Sequence, residues 1–258
     1  MANKYIKKGS EYFTVKDIYD INGMLLLRKG QKVTAKTKAR LNKIGINKLE
    51  KPNDVNDNQG DVLAPILKEL GERIHIRDNN LLSQLHKLLS TLLFESKTEP
   101  WWIFINTLSN YEDWIYTHSI NVAMISIMVA MEMGYSDKEL YDLGLGSLLH
   151  DVGMLLIPKS IIEKESILTD NEINILRLHC GFGKSSLEGF NLPQEYIDIV
   201  MQHHEKLDGS GYPNGLKGDE IGRNVRIVMV ANAIDGITSY RPYRLPYDMK
   251  TAIEMLRS

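Results

Sequence analysis

Two neighbouring side chains that could do chemistry, His150 and Asp151, stand at the end of an apolar run, Leu148-Leu149. Adjacent residues on a helix point about 100° apart, but near a helix end their side chains could still converge on one cation. Gly153 follows, and glycine is the residue that most often ends a helix. Taken alone, such a His-Asp pair is more often a surface or capping pair, so the rest of the sequence decides its interpretation.

The other histidines are concentrated in the same part of the chain. Five of the seven histidines lie there, with two aspartates beside them: His118, His150, His179, His203 and His204, with Asp151 and Asp208. Imidazole and carboxylate together suit a first-row metal such as iron, manganese or zinc, and two such ions can share a bridging carboxylate. The pattern therefore predicts a two-metal site.

Individual ligands also have simpler explanations. His118 could be a buried core histidine bonded to the backbone, and His179 could cap a helix C-terminus, where the helix dipole favours a cation. The consecutive pair His203-His204 is harder to explain in this way. Polar and glycine residues follow it from 205 to 211, and they place donors and flexible backbone together, which suits the edge of a metal site and a bound anion.

Composition indicates an ordinary globular protein. Of the 258 residues 43% are apolar and 25% charged, which excludes disordered and collagen-like classes. The one cysteine, Cys180, cannot form a disulfide within the chain, and no signal peptide is recognised, so a reducing cytoplasm is expected. The longest apolar stretch, near Ile120 to Met131, is too short to span a bilayer, and no membrane span is predicted.

Residues 1–51 are strongly basic, with 13 Lys or Arg against 4 Asp or Glu, although the whole chain carries a net charge of −2. Such asymmetry could mean an electrostatic partner, either nucleic acid or an acidic protein. No aromatic residues interleave the lysines as a base-stacking platform would require. We therefore favour a solvated lysine-rich surface and expect no nucleic-acid polymer as a partner.

The same segment predicts a small α+β module built on one or two β-hairpins. Short apolar segments at 12–15 and 24–27 alternate with turn signals at Asn22-Gly23 and Lys29-Gly30. A helix fits residues 35–44, and the Asn- and Asp-rich segment 52–60 reads as a linker.

Two leucine-rich stripes follow in the connecting segment 61–99. Both have helical spacing: Leu63, Ile66, Leu67 and Leu70, then Leu82, Leu85, Leu89 and Leu92. Such a seam could pair with a second chain as a short coiled coil, which would make a homodimer, or it could pack on its own domain.

From Trp101 onward the periodicity is helical throughout. One predicted helix begins near His118, a second leads to His150, a third starts at a Thr169 cap and ends near His179, and a fourth opens after Pro193 and delivers His203 and His204. We expect a mainly α protein, a helical bundle that gathers its histidines at one end of the core.

These residues carry a resemblance. The motif His150-Asp151-Val152-Gly153, followed by HHEKLDGSGYPNGL over 203–216, is similar to the HD-GYP family of bacterial cyclic di-GMP phosphodiesterases, a branch of the HD superfamily. The resemblance covers residues 100–258 and implies an HD-type helical bundle with a small N-terminal α+β module. It also implies a cytoplasmic, metal-dependent hydrolase of cyclic di-GMP that yields linear pGpG or GMP.

The resemblance further implies roles for single residues. Two divalent ions, most often iron or manganese in the family, would be held by seven residues: His118, His150, Asp151, His179, His203, His204 and Asn232. Asp151 would bridge the ions and, with His150, form the catalytic core. Tyr212, Arg241 and Arg244 would bind substrate, and guanidinium groups suit phosphate because they bind it bidentately.

Three residues depart from the family pattern. Met154 replaces the lysine that usually follows the first motif, and Asn232 replaces an aspartate ligand, so one ion would be bound more weakly. Trp114 replaces a glutamate of trinuclear members, which argues for two metals at most. The chain also ends at Ser258, where family members usually continue through further helices.

The departures leave a second function open. A catalytically impaired domain would act as a cyclic dinucleotide receptor or as an interaction module, with diguanylate cyclase (GGDEF) proteins as partners. The six retained ligands favour the enzyme, whereas Met154 and Asn232 favour the receptor, because one lost phosphate contact can cost roughly 10²- to 10³-fold in rate.

Overall fold

A computed structural model describes residues 5–8, 11–14, 18–19, 25–27, 32–33, 63–97, 99–164, 166–239 and 245–257. The chain divides into two compact units, Met1–Asp61 and Val62–Ser258.

The described residues of the first unit form short strands. They are β1 (Tyr5–Lys8), β2 (Glu11–Thr14), β3 (Ile18–Tyr19), β4 (Leu25–Leu27) and β5 (Lys32–Val33). Antiparallel pairing joins β1, β2 and β5 in one sheet and β3 with β4 in another. The predicted helix 35–44 and linker 52–60 lie outside the described residues, so the complete α+β module remains a prediction.

The second unit is mainly helical. Its described helices are α1 (Leu63–Arg73), α2 (Asn79–Ser96), α3 (Trp102–Tyr111), α4 (Asp113–Glu132), α5 (Asp137–Leu149), α6 (Lys159–Ile162), α7 (Asp170–Arg177), α8 (His179–Leu187), α9 (Gln194–Gln202), α10 (Arg223–Thr238) and α11 (Met249–Arg257). Short 3-10 helices cover Val152–Leu156, Glu188–Phe190 and Gly218–Glu220.

Local sequence signals explain several helix starts. The Thr169 hydroxyl accepts from the Glu172 backbone while the Glu172 carboxylate accepts from the Thr169 backbone, and this capping box begins α7 as predicted. Ser136 and Glu139 form the same arrangement at the start of α5. Helix α9 begins directly after Pro193, also as predicted. Helix α4 begins at Asp113, five residues before the predicted start, so His118 lies one turn inside it.

The core forms around α4 and α5, which pack against each other, while α10 covers α4 and α9 covers α5. Gly146 on α5 permits close approach, because a Cβ there would lie 2.6 Å from the Ile199 side chain on α9. The leucine stripes of α1 and α2 are buried inside this same unit; the fully buried members are Leu70, Leu85, Leu89 and Leu92. Their burial agrees with packing on their own domain, and the homodimer remains a prediction.

Helix α4 is longer than the apolar stretch recognised in the sequence. Among the described residues, the segment 114–132 has the length and hydropathy of a membrane span, but 67% of its window is buried inside the fold. The core helix of a soluble domain has the same properties. Helix α4 also contributes the buried His118, so it belongs to the core of the described unit.

Candidate metal centre

The ends of several helices meet at one point in the second unit. His150 caps the C-terminus of α5, His203 caps that of α9, and His179 begins α8. His118 approaches from the first third of α4. The four imidazoles are almost fully buried. The structure thus brings the histidines together, as the sequence predicts.

Asp151 lies between two groups of histidines. Its Oδ1 is 3.5 Å from His179 Nε2 and 3.6 Å from His203 Nε2. Its Oδ2 is 3.3 Å from His150 Nε2 and 3.7 Å from His118 Nε2. These side chains form two groups of possible ligands. One group is Asp151, His179, His203 and His204, and the other is His118, His150 and Asp151. Within each group the possible ligand atoms all lie within 4.8 Å of one another. One carboxylate therefore faces two candidate metal positions.

The outer ring nitrogens fix the orientation of three of these imidazoles. His150 Nδ1 is 2.7 Å from the Ser147 carbonyl, and His179 Nδ1 is 2.7 Å from the Leu176 carbonyl. His203 Nδ1 is 3.0 Å from the Val200 carbonyl. A carbonyl oxygen only accepts, so each Nδ1 carries a proton and each ring turns its Nε2 toward Asp151. Metal-binding histidines are held in this way.

At two places in the centre, hydrogen-bond acceptor atoms lie close together, as they would around a cation. With Nδ1 protonated, the Nε2 atoms of His179 and His203 face each other as lone pairs only 3.2 Å apart. On the other side, Asn232 Oδ1 is 2.9 Å from His118 Nε2, while Nδ1 of that ring donates a hydrogen bond to the Asp235 carboxylate. Facing acceptors repel unless a proton or a cation lies between them. The donor set fits metal ions on both sides of Asp151.

Protonation favours metal binding as well. Burial lowers the pKa of His203 to about 4 and, together with His203, holds the pKa of His204 well below its usual value. Both rings are therefore neutral at pH 7, the form that binds metals. Burial alone would raise the pKa of Asp151, but His150, His203 and His179 hold it well below its usual value, so the carboxylate is anionic.

A glycine allows the two halves of the centre to approach. A Cβ at Gly153 would lie 1.9 Å from the His179 carbonyl oxygen and 2.5 Å from the Gly183 nitrogen. The 3-10 helix that follows Asp151 can therefore pack on the start of α8 only because residue 153 has no side chain. This contact brings Asp151 and His179 together, which gives the glycine of the first motif a physical reason.

The Gly-Tyr-Pro segment is tied to the centre by buried groups. The Glu205 carboxylate is almost fully buried and accepts from the backbone nitrogens of Asn214 and Leu216 at 2.7 and 3.1 Å. A Cβ at Gly211 would lie 2.4 Å from the Glu205 backbone, so only glycine fits there. These contacts fold the loop back against the end of α9.

Tyr212 lies at the edge of the histidine cluster. Its ring stacks on His204 at a centroid distance of 4.7 Å, and the Arg177 guanidinium lies 5.0 Å from the ring centroid. Burial raises the pKa of Tyr212, so the phenol stays neutral. Tyr212 therefore borders the candidate metal position beside His204, and the exposed Arg177 lies over its ring.

The remaining predicted residues are placed less directly in the site. Asn232 lies beside His118, as the sequence predicts, whereas Met154 is buried in the core. Asp208 is exposed and accepts from the Ser210 backbone at 2.8 Å, which makes it a turn residue. Arg241 and Arg244 lie outside the described residues, so their phosphate-binding role remains a prediction.

The sequence did not reveal a second layer around His118. Asp235 is fully buried, and its Oδ2 accepts from His118 Nδ1 at 2.6 Å. It lies three residues after Asn232 on α10, and that spacing puts both side chains on one helix face. Arg73 on α1 also contacts Asp235, but nothing in the sequence around it points to the site.

Comparison with known proteins places this geometry in a family. The profile of the HD domain family matches residues 103–258, which contain all the residues named for the centre. The chain belongs to the HD domain family. Within it, the match of both motifs and the curated relatives place the chain in the HD-GYP branch.

Curated relatives of this HD domain include three bacterial phosphodiesterases. A cyclic di-GMP phosphodiesterase of Thermotoga maritima is 34% identical over 71% of this chain and 53% of its own length. The response regulator RpfG of Xanthomonas campestris, also a cyclic di-GMP phosphodiesterase, is 37% identical over 50% of this chain and 35% of its own. The 3'3'-cGAMP-specific phosphodiesterase 3 of Vibrio cholerae is 34% identical over 53% and 30%. The chain thus spans about half, or less, of these relatives.

Proposed function

We propose that this HD domain is a metal-dependent phosphodiesterase that hydrolyses cyclic di-GMP. The observation that carries the proposal is the position of Asp151, whose two oxygens face separate groups of buried histidines. Curated relatives with this domain are phosphodiesterases of cyclic dinucleotides. Two iron or manganese ions would occupy the two groups, with Asn232 as a further ligand beside His118.

The bound ions would activate water at neutral pH and neutralise charge on the scissile phosphate. The chain's own groups prepare this centre: Asp151 stays anionic, and burial keeps His203 and His204 neutral. Tyr212 borders the centre on the His204 side, with Arg177 over its ring, and Arg241 and Arg244 are proposed to hold the substrate phosphates. The product would be linear pGpG or GMP.

The buried Met154 and the neutral Asn232 should lower the rate relative to relatives with lysine and aspartate at those positions. The receptor alternative is less favoured, because the histidines that would become dispensable in a receptor are all retained and oriented. The proposed location is the cytoplasm. A homodimer and contacts with GGDEF proteins belong to the same proposal, and both await a direct binding measurement.

The test is hydrolysis by the full chain loaded anaerobically with Fe²⁺ or Mn²⁺, with products separated by chromatography and 3'3'-cGAMP assayed in parallel. We expect turnover of cyclic di-GMP that is lost on chelation and in His179→Ala. Asp208→Asn is the matched control, because Asp208 is exposed and serves the loop turn. If the protein binds two metals and cyclic di-GMP but shows no turnover, the proposed enzyme is wrong and the receptor function takes its place. If it hydrolyses 3'3'-cGAMP in preference to cyclic di-GMP, the proposed substrate is wrong.

A further inference from the structure

Helix α1 lies outside the segment that matches the HD family profile, yet it contacts the metal centre through one side chain. Arg73, its last residue, is 12% exposed, and its Nη2 donates to Asp235 Oδ1 at 2.7 Å. Its Nη1 donates to the Thr238 hydroxyl at 2.6 Å, one turn further along α10. The guanidinium thus spans two positions on α10.

Asp235 passes this contact on to His118. Oδ1 accepts from Arg73 and also from Asn121 Nδ2 at 2.9 Å and Ser239 Oγ at 2.8 Å, and Arg73 is the one charged donor among these three. Oδ2 accepts from His118 Nδ1 at 2.6 Å. The carboxylate is fully buried, and a buried carboxylate is costly unless it is paired and hydrogen-bonded. The Arg73 guanidinium supplies such a pairing and holds the carboxylate in place. Its Oδ2 accepts from Nδ1 of His118, which leaves Nε2 of that ring facing Asp151 at 3.7 Å.

This arrangement makes the two halves of the centre unequal. His150, His179 and His203 are oriented by carbonyl oxygens three residues earlier in the chain, contacts that each local segment makes for itself. His118 is oriented by a carboxylate 117 residues away, and that carboxylate is paired with an arginine 162 residues before it. Disturbing α1 should therefore affect the His118 side of Asp151 and spare the His179 side.

We propose that Arg73 is a positioning residue for the metal centre, which holds Asp235 and through it His118, so that metal binding on the His118 side depends on the docking of α1. The inference rests on the proposed function for its metal ions.

The test compares Arg73→Gln, Arg73→Lys and the control Arg77→Gln, which changes an exposed arginine after the same helix. Metal-free full-length protein is titrated with Mn²⁺, and the sites are followed by calorimetry and electron paramagnetic resonance. For Arg73→Gln we expect one site unchanged and the other weakened by about tenfold, the lower end of the effect of losing an outer partner of a metal ligand, because Asp235 itself remains. Arg73→Lys should restore part of the loss.

A second readout needs no metal. Nitrogen-15 NMR of the metal-free protein should show His118 with its proton fixed on Nδ1 in the wild type and in Arg77→Gln, but distributed between both nitrogens in Arg73→Gln. If Arg73→Gln does not fold, Arg73→Lys and Thr238→Val are measured in the same way. An unchanged His118 tautomer, or equal loss of both metal sites, would overturn the role of Arg73. A wild type that binds no Mn²⁺ contradicts the proposed function instead, and the NMR result still decides the role of Arg73.

Discussion

Replacing Asp151 by asparagine should weaken two metal sites at once. The substitution keeps the shape and one oxygen ligand but removes the charge that both histidine groups share. The Asp151 oxygens lie 3.3 to 3.7 Å from the four Nε2 atoms, which sets the size of the pocket. At that scale and an effective dielectric constant of about 20, one pair of unit charges interacts by roughly 4 to 5 kcal/mol.

The interaction energy is twice as large for a divalent cation. Much of this energy is offset in the variant, because the asparagine keeps an oxygen ligand and a neutral side chain costs less to desolvate. We expect a net loss of about 3 kcal/mol for each ion, which is roughly a hundredfold in its dissociation constant. Manganese titration of metal-free Asp151→Asn, followed by calorimetry and electron paramagnetic resonance, measures both sites. His118→Ala and His179→Ala should instead weaken one site each.

Asp208→Asn is the matched control, since it removes an equal charge from an exposed turn in the neighbouring loop. It should leave both dissociation constants unchanged. The reasoning would be refuted if Asp151→Asn weakened a single site, or if its effect were no larger than that of the control.

Three further predictions concern neighbouring residues. Asn232→Asp adds a negative charge beside His118 and should lower the manganese dissociation constant of the site on that side about tenfold and speed up turnover. If the dissociation constant measured by manganese titration did not change, Asn232 would not be a ligand. Gly153→Ala should lower the free energy of unfolding by roughly 3 kcal/mol in denaturant titration, because the added methyl group meets a backbone carbonyl. The control Gly181→Ala adds its methyl group in open space and should not lower the free energy of unfolding. Since burial lowers the pKa of His203 to about 4, the unfolded chain takes up a proton between pH 6.5 and 4 that the folded metal-free chain refuses. The free energy of unfolding, measured by urea titration, should therefore fall by up to about 3 kcal/mol as the pH is lowered through that window. A value that does not change with pH would contradict the burial argument.

The convergence of the histidines was predictable because its signals are local. His150, His179 and His203 stand at helix ends, which the sequence marks, for example, by the Thr169 cap before His179 and by Pro193 at the start of the helix that ends at His203. His118 instead lies one turn inside α4. Histidines are also rare enough that five in one region stand out. Hydrophobic periodicity and capping thus predicted most of the helices and the end of the bundle where the site forms.

The supporting contacts were not predictable for an equally physical reason. Arg73 and Asp235 meet across 162 residues, and an arginine at the end of an ordinary amphipathic helix carries no sign of a distant partner. The leucine stripes likewise left two partners open, a second chain or the same domain, because periodicity defines a face but not what covers it. Asp235 could have been recognised from its three-residue spacing to Asn232 on one helix.

The most direct test of the central claim is an anomalous diffraction measurement on crystals of the protein loaded with Mn²⁺. Two ions roughly 3.5 to 4 Å apart are predicted, both bound by Asp151, one with His118 and His150 and the other with His179, His203 and His204. A single ion, ions that do not contact Asp151, or no anomalous signal among these histidines at saturating Mn²⁺ would contradict the account.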